Sequence, residues 1–167
     1  MSLLAKLFGA VPLAEMGGIH LDMTRPFWEV SGKTDFSSLL AALSELLPEG
    51  CVLYFEGGSP SDELMRFLGK YSVPERAHVA RGTIWPRLLV FHVPATAETI
   101  GCLASLMRSH AEPELAIHFH VYRDQTVLLE WHDAFTQPML VSGELPEQEI
   151  KAFAERLRMS CNRGVTP

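Results

Sequence analysis

The chain has 167 residues, 14 Lys+Arg against 20 Asp+Glu for a formal net charge of −6, and 47% hydrophobic against 20% charged residues. That is the composition of a single globular domain over 1–167. At this length about 70% of the unfolded chain's surface is buried on folding, so a core needs no disulfide or structural metal. The acidic balance, with a pI near 5.6, argues against nucleic acid or an anionic membrane as the main partner, because both demand clustered Lys and Arg.

Leu3, Leu4, Leu7, Phe8 and Val11 share one helical face and predict a short amphipathic helix ended by Pro12 and the Gly17-Gly18 pair. Ile19, Leu21 and Met23 then alternate with His20, Asp22 and Thr24, the period of a half-buried strand, and Phe27 to Ser31 is a second extended piece placed to pair with it. From Thr34 the period becomes helical, with Phe36, Leu39, Leu40, Leu43, Leu46 and Leu47 on one face, Thr34 or Asp35 as cap and Pro48-Glu49-Gly50 as stop. Cys51 to Phe55 is a continuous apolar run, the pattern of a central strand covered on both faces. Ser59 as cap and Pro60 at the first position open a helix whose stripe is Leu64, Phe67, Leu68 and Tyr71.

Val73 to Arg87 reads as a loop with a short edge strand around Ala77 and Val79, and Leu88 to Val93 as another strand apolar on both faces. Ala95 to Ser109 has helical spacing through Ile100, Leu103, Ala104 and Met107, closed by Glu112-Pro113. A β-hairpin follows from strands Leu115 to Tyr122 and Thr126 to His132, then an extended Met139 to Ser142, then a helix beginning at Pro146 with Ile150, Phe153, Ala154 and Leu157 inward. The expected fold is α/β or α+β: a mixed β-sheet with helices packed on it, the C-terminal β-hairpin followed by a terminal helix. The double-sided apolar runs favour cover on both sides of the middle strands.

The hairpin carries the one constellation with chemistry in it. Ile117, Phe119 and Val121 alternate with His118, His120 and Tyr122, and Val127, Leu129 and Trp131 alternate with Leu128, Glu130 and His132. Pairing Val121 with Val127 and Phe119 with Leu129 puts the large apolar side chains on the core face, which sets His118 opposite Glu130, His120 opposite Leu128 and His132 one diagonal step from His118. The other face then offers His118, His120, Glu130 and His132, joined by His92 if its strand is adjacent. An H-x-H pair spaces two imidazoles about 6.5 Å apart along one face, and with a third His or a carboxylate it can hold zinc or another divalent metal with a position left for water. Glu130 would then serve as ligand or as general base. The same row also suits a solvated or partner-facing sheet surface.

Gly57-Gly58-Ser59 sits where a phosphate loop would, but it matches no nucleotide fingerprint, and Glu56, Asp62 and Glu63 surround it with negative charge. Ser59 lacks the second glycine of a nucleophile elbow. Cys51, Cys102 and Cys161 are odd in number without C-x-x-C spacing, which points to inert thiols in a reducing compartment. Lys6 lies inside the apolar N-terminal stretch, which Gly9 and Pro12 interrupt, unlike a secretory leader. The leading expectation is a cytoplasmic, non-enzymatic interaction or regulatory module, acting on a protein partner or on itself as a homodimer, without nucleic acid, membrane or cofactor. Its rival is a small metal-dependent hydrolase or metal-binding protein built on the histidine face.

Overall fold

The structure, a computed structural model, describes residues 17–164. The helix expected over Leu3 to Val11 lies outside them. Seven strands form one sheet in the order β3-β2-β4-β5-β6-β1-β7, with every named pair antiparallel. The strands are β1 (Phe27–Ser31), β2 (Val52–Gly57), β3 (Val90–Pro94), β4 (Ala116–Arg123), β5 (Thr126–Trp131), β6 (Met139–Ser142) and β7 (Ser160–Arg163). The helices are α1 (Phe36–Leu46), α2 (Asp62–Tyr71), α3 (Ala97–Met107), α4 (Glu112–Leu115) and α5 (Glu147–Arg156). The α/β class therefore holds, with helices on a sheet whose ladders run antiparallel throughout. No helix among the described residues is long and apolar enough to cross a membrane.

Three of the four longer helices start where a side chain satisfies a free amide; α5, preceded by Pro146, has no such cap. Asp35 accepts from the Ser38 amide at 2.6 Å, and Thr96 and Thr99 form a reciprocal capping box at α3. At α2 the cap is Ser61, not Ser59, with its hydroxyl accepting from Leu64. The Ser59 amide instead donates to the Pro113 carbonyl at 3.1 Å, tying the loop after β2 to α4. Pro60 shifts to the residue before the cap.

The helices cover one face only. Phe36, Leu39, Leu40 and Leu43 of α1, Leu64 and Leu68 of α2, Ile100 and Leu103 of α3, and Ile150 and Phe153 of α5 share one core with Leu53, Phe55, Phe119, Val121, Leu129 and Trp131 of the sheet. The opposite face is covered by loops: Leu21, Ala77 and Val79 pack there on Val52, Tyr54, Tyr122, Val127 and Phe27. The double burial of β2 is as expected, with its second cover supplied by irregular chain rather than by helices.

Several local expectations change. Ile19 to Met23 is no strand and does not pair with β1; it crosses the loop-covered face and makes a single parallel bridge, Ile19 to Val79. β1 lies instead between β6 and β7, and the terminal β7 has no counterpart in the sequence reading. Its sequence, Ser-Cys-Asn-Arg, has no apolar alternation to announce it. The segment from Leu88 is an edge strand, with Leu89 exposed. Glu112-Pro113 does more than close a helix, because it begins the short α4.

The hairpin register slips by two residues from the expected pairing. Phe119 faces Trp131, His120 faces Glu130, Val121 faces Leu129 and Tyr122 faces Val127, with a β-bulge that leaves Leu128 as the extra residue. The tight turn over Asp124 and Gln125 causes the slip, Asp124 taking φ 54° so that Arg123 can pair with Thr126. Phe119, Val121, Leu129 and Trp131 stay on the helix-side core, Val127 turns to the other face, and Ile117 is exposed.

Candidate functional site

The antiparallel register sets the polar side chains in rows across the loop-covered face. One row runs His92, Tyr54, His120, Glu130 over four adjacent strands; the next holds Glu56 and His118, with His132 just past the end of β5. Glu56, His92, His118, His120 and Glu130 are all buried. The face expected to be solvated is thus covered, because residues 18–22 and 75–83 lie across it.

Most of these groups have partners. Glu56 accepts from the Tyr54 hydroxyl at 2.8 Å, the Gly82 amide at 2.9 Å and the Thr83 amide at 3.0 Å. His118 accepts from the Asp133 amide at Nδ1, 3.1 Å, and its Nε2 stands 2.9 Å from the Thr83 hydroxyl, which assigns the proton to Nε2. His92 Nδ1 is 2.8 Å from the Tyr122 hydroxyl. Glu130 accepts from the Leu21 amide at Oε2, 2.7 Å, and its Oε1 is 2.9 Å from His132 Nε2.

His120 differs. Only 1% of it is exposed, and neither ring nitrogen has a hydrogen-bond partner. Its ring lies 5.3 Å from Tyr54 and 4.8 Å from His132, centroid to centroid. Such a group is kept against a cost, since an unbonded buried donor or acceptor loses its water without replacement.

The electrostatics follow from the same geometry. Burial drives the His120 pKa down to about 3, the nearby Glu130 only partly opposing it. Burial likewise holds His92 and His118 below the ordinary imidazole value. His132 goes the other way, raised chiefly by its hydrogen bond to Glu130. For Glu130 burial opposes ionisation, but the His132 bond and the Leu21 amide outweigh it and hold the carboxyl below its ordinary value. His120 is therefore a neutral imidazole beside the Glu130 carboxylate, the protonation that metal ligands need, whereas His132 would exchange the proton it shares with Glu130 for an ion.

Among the described residues, His120, Glu130 and His132 bring one ligand atom each within 4.8 Å of one another. Donors on a tetrahedral zinc, bonded at about 2.0 Å, stand roughly 3.3 Å apart, so small side-chain rotations bring the three onto one ion. Two further candidates, His118 and His92, share the face but stand outside this trio. His118 has both nitrogens engaged by protein groups. His92 lies beyond Tyr54, whose ring separates it from His120. Tyr54 escaped sequence reasoning because it sits in a run that reads simply as buried strand, and Glu56 because it reads as negative charge beside the Gly57-Gly58 loop; the alternation of His118 and His120 on a neighbouring strand was the available signal. Cys102 is exposed on its helix, and all three thiols are free.

Comparison with protein-family models, curated proteins and solved structures finds no match to this chain.

Proposed function

We propose that the chain is a metal-binding domain in which His120, Glu130 and His132 hold a divalent ion such as zinc. The observation that carries this reading is the buried His120 imidazole, unbonded at both nitrogens and set against a carboxylate and a second imidazole. Two imidazoles and one carboxylate suit zinc and its first-row neighbours better than magnesium or calcium, which prefer all-oxygen sites. Three protein donors leave a position for water, the arrangement through which bound zinc lowers the pKa of water and supports hydrolysis. His132, with 39% of its side chain exposed, supplies the approach from solvent. A cytoplasmic setting goes with this reading, on the three free thiols.

Metal analysis of untagged protein, followed by calorimetric titration with zinc, tests the assignment. Binding at one site, abolished by His120→Ala and retained by His92→Ala, is expected. Absence of binding for zinc, cobalt, nickel and ferrous iron, or binding indifferent to His120→Ala, overturns it.

The exposed apolar residues favour a second reading, in which the chain works through protein contact, as a homodimer or with another protein. Trp85 is 82% exposed, and Ile84, Leu89 and Ile117 are exposed with it. The side chains of Leu88 and Ile117 converge over Gly57, at the β3 end of the sheet. Sedimentation across a wide concentration range checks this: a dimer weakened by Trp85→Ala and Leu89→Ser supports it, and a monomer throughout rules out self-association.

A further inference from the structure

Two loop segments, 18–22 and 78–83, form one strap over the proposed ion site. They are tied to each other: the Ile19 amide donates to the His78 carbonyl at 2.7 Å and the Ala80 amide to the Ile19 carbonyl at 2.9 Å. They are also tied to the site. From the first segment, the Leu21 amide takes Glu130 Oε2 and leaves Oε1 facing His132. From the second, Gly82 and Thr83 bond Glu56, and the Thr83 hydroxyl meets His118, whose ring packs edge-on against His132 at 5.5 Å. The first half of the strap is thus one hydrogen bond from a ligand, and the second reaches one through a hydrogen bond to His118 and that ring's contact with His132.

Two glycines allow the strap to lie this close. A Cβ at Gly82 would stand 2.3 Å from Cγ of the His118 ring, which is pinned at both nitrogens, and one at Gly18, where φ is +148°, would stand 2.5 Å from the Ala80 amide nitrogen. Neither segment has helix or ladder bonds of its own to hold it down beyond the Ile19 to Val79 bridge.

From this geometry we infer that the strap is the gate of the ion site, and that loading the ion and closing the strap are one linked event; the inference rests on the metal reading above. Without an ion, closure seals His120 in with both nitrogens unbonded, and opening relieves that cost by admitting water. A bound ion takes one of those nitrogens and fixes Glu130 through Oε1 while Leu21 holds Oε2, so only the closed strap completes the shell around the ligands. The ion then favours closure by the same factor by which closure tightens the ion.

Hydrogen–deuterium exchange of the full chain, with zinc and with chelator, tests the linkage, alongside zinc affinity and release rate for wild type and Gly82→Ala. Expected are exchange over 18–22 and 78–83 slowed about tenfold by zinc, with β4 and β5 little changed, and a Gly82→Ala protein that keeps every ligand but releases zinc about tenfold faster. Zinc binding with exchange of the strap unaltered overturns the gate and leaves the metal site standing. Zinc that fails to bind wild-type protein overturns both. Should Gly82→Ala fail to fold, the wild-type exchange comparison decides alone.

Discussion

The cost of His120 is measurable at the level of one side chain. In chelated protein, replacing it by leucine removes two unbonded polar atoms from the core and keeps similar bulk, so His120→Leu should leave stability unchanged or raise it by about 1 kcal/mol while abolishing zinc binding. Urea melts in chelator check the first half; a loss above about 2 kcal/mol would mean that the imidazole has a structural bond after all. Tyr54→Phe should act in the opposite sense. It strips the buried Glu56 of one of its donors, at a cost of about 1 to 2 kcal/mol by the same assay. The histidines of this site are legible in the sequence, since His118, His120 and His132 fall on one side of an alternating pattern. Leu21 and Gly82 are not, because a backbone amide reaching a carboxylate more than a hundred residues away, as Leu21 reaches Glu130, has no local signature.

Among the elements, the β4–β5 hairpin best shows what alternation does and does not specify. It assigns Phe119, Val121, Leu129 and Trp131 to the core correctly, since burial penalises any one-residue slip. A two-residue slip preserves faces, however, and Val127-Leu128-Leu129 has no polar residue to mark where the bulge falls; turn geometry at Asp124 decided it. The observed pairing predicts that Phe119→Ala, which empties a site enclosed by Phe36 and Phe55, costs about 3 to 5 kcal/mol. Ile117→Ala, two residues away on a side chain 40% exposed, should cost under about 1 kcal/mol. Equal losses in denaturant melts would contradict this register. The four longer helices are legible to within about two residues at their ends, because each presents an apolar stripe, while the single turn of α4 is too short to show one. β7 and the loop cover are illegible because neither carries a period.

Over the whole molecule, the buried imidazoles make stability depend on pH in a direction that can be worked out. His92 is lowered first by burial, with Glu75 opposing and Arg81 reinforcing; His118 and His120 are lowered by burial as well. The unfolded chain takes up these protons near pH 6.5 and the folded chain does not. The unfolded state therefore binds more protons, and stability falls as pH drops below about 6.5. His132, raised by Glu130, contributes oppositely, its share being present below pH 6.5 and lost above its raised value. Three against one, chelated protein should lose urea midpoint between pH 7 and 5, and His92→Asn should flatten that slope; a midpoint independent of pH would contradict the burial of the row. A last consequence concerns the order in which the molecule assembles. Among the described residues β1, from residues 27–31, has as its strand neighbours β6 at 139–142 and β7 at 160–163, whereas β2 to β5 pair among themselves and meet the other half only through β5 and β6. The half of the sheet that bears the histidines can close while β1 still waits for partners more than a hundred residues away, and loop-closure entropy makes that docking the slow step. During synthesis the histidine-bearing face is thus ready before the sheet is complete, and β1, the earliest strand among the described residues, waits for β6 before β7 can close the edge upon it.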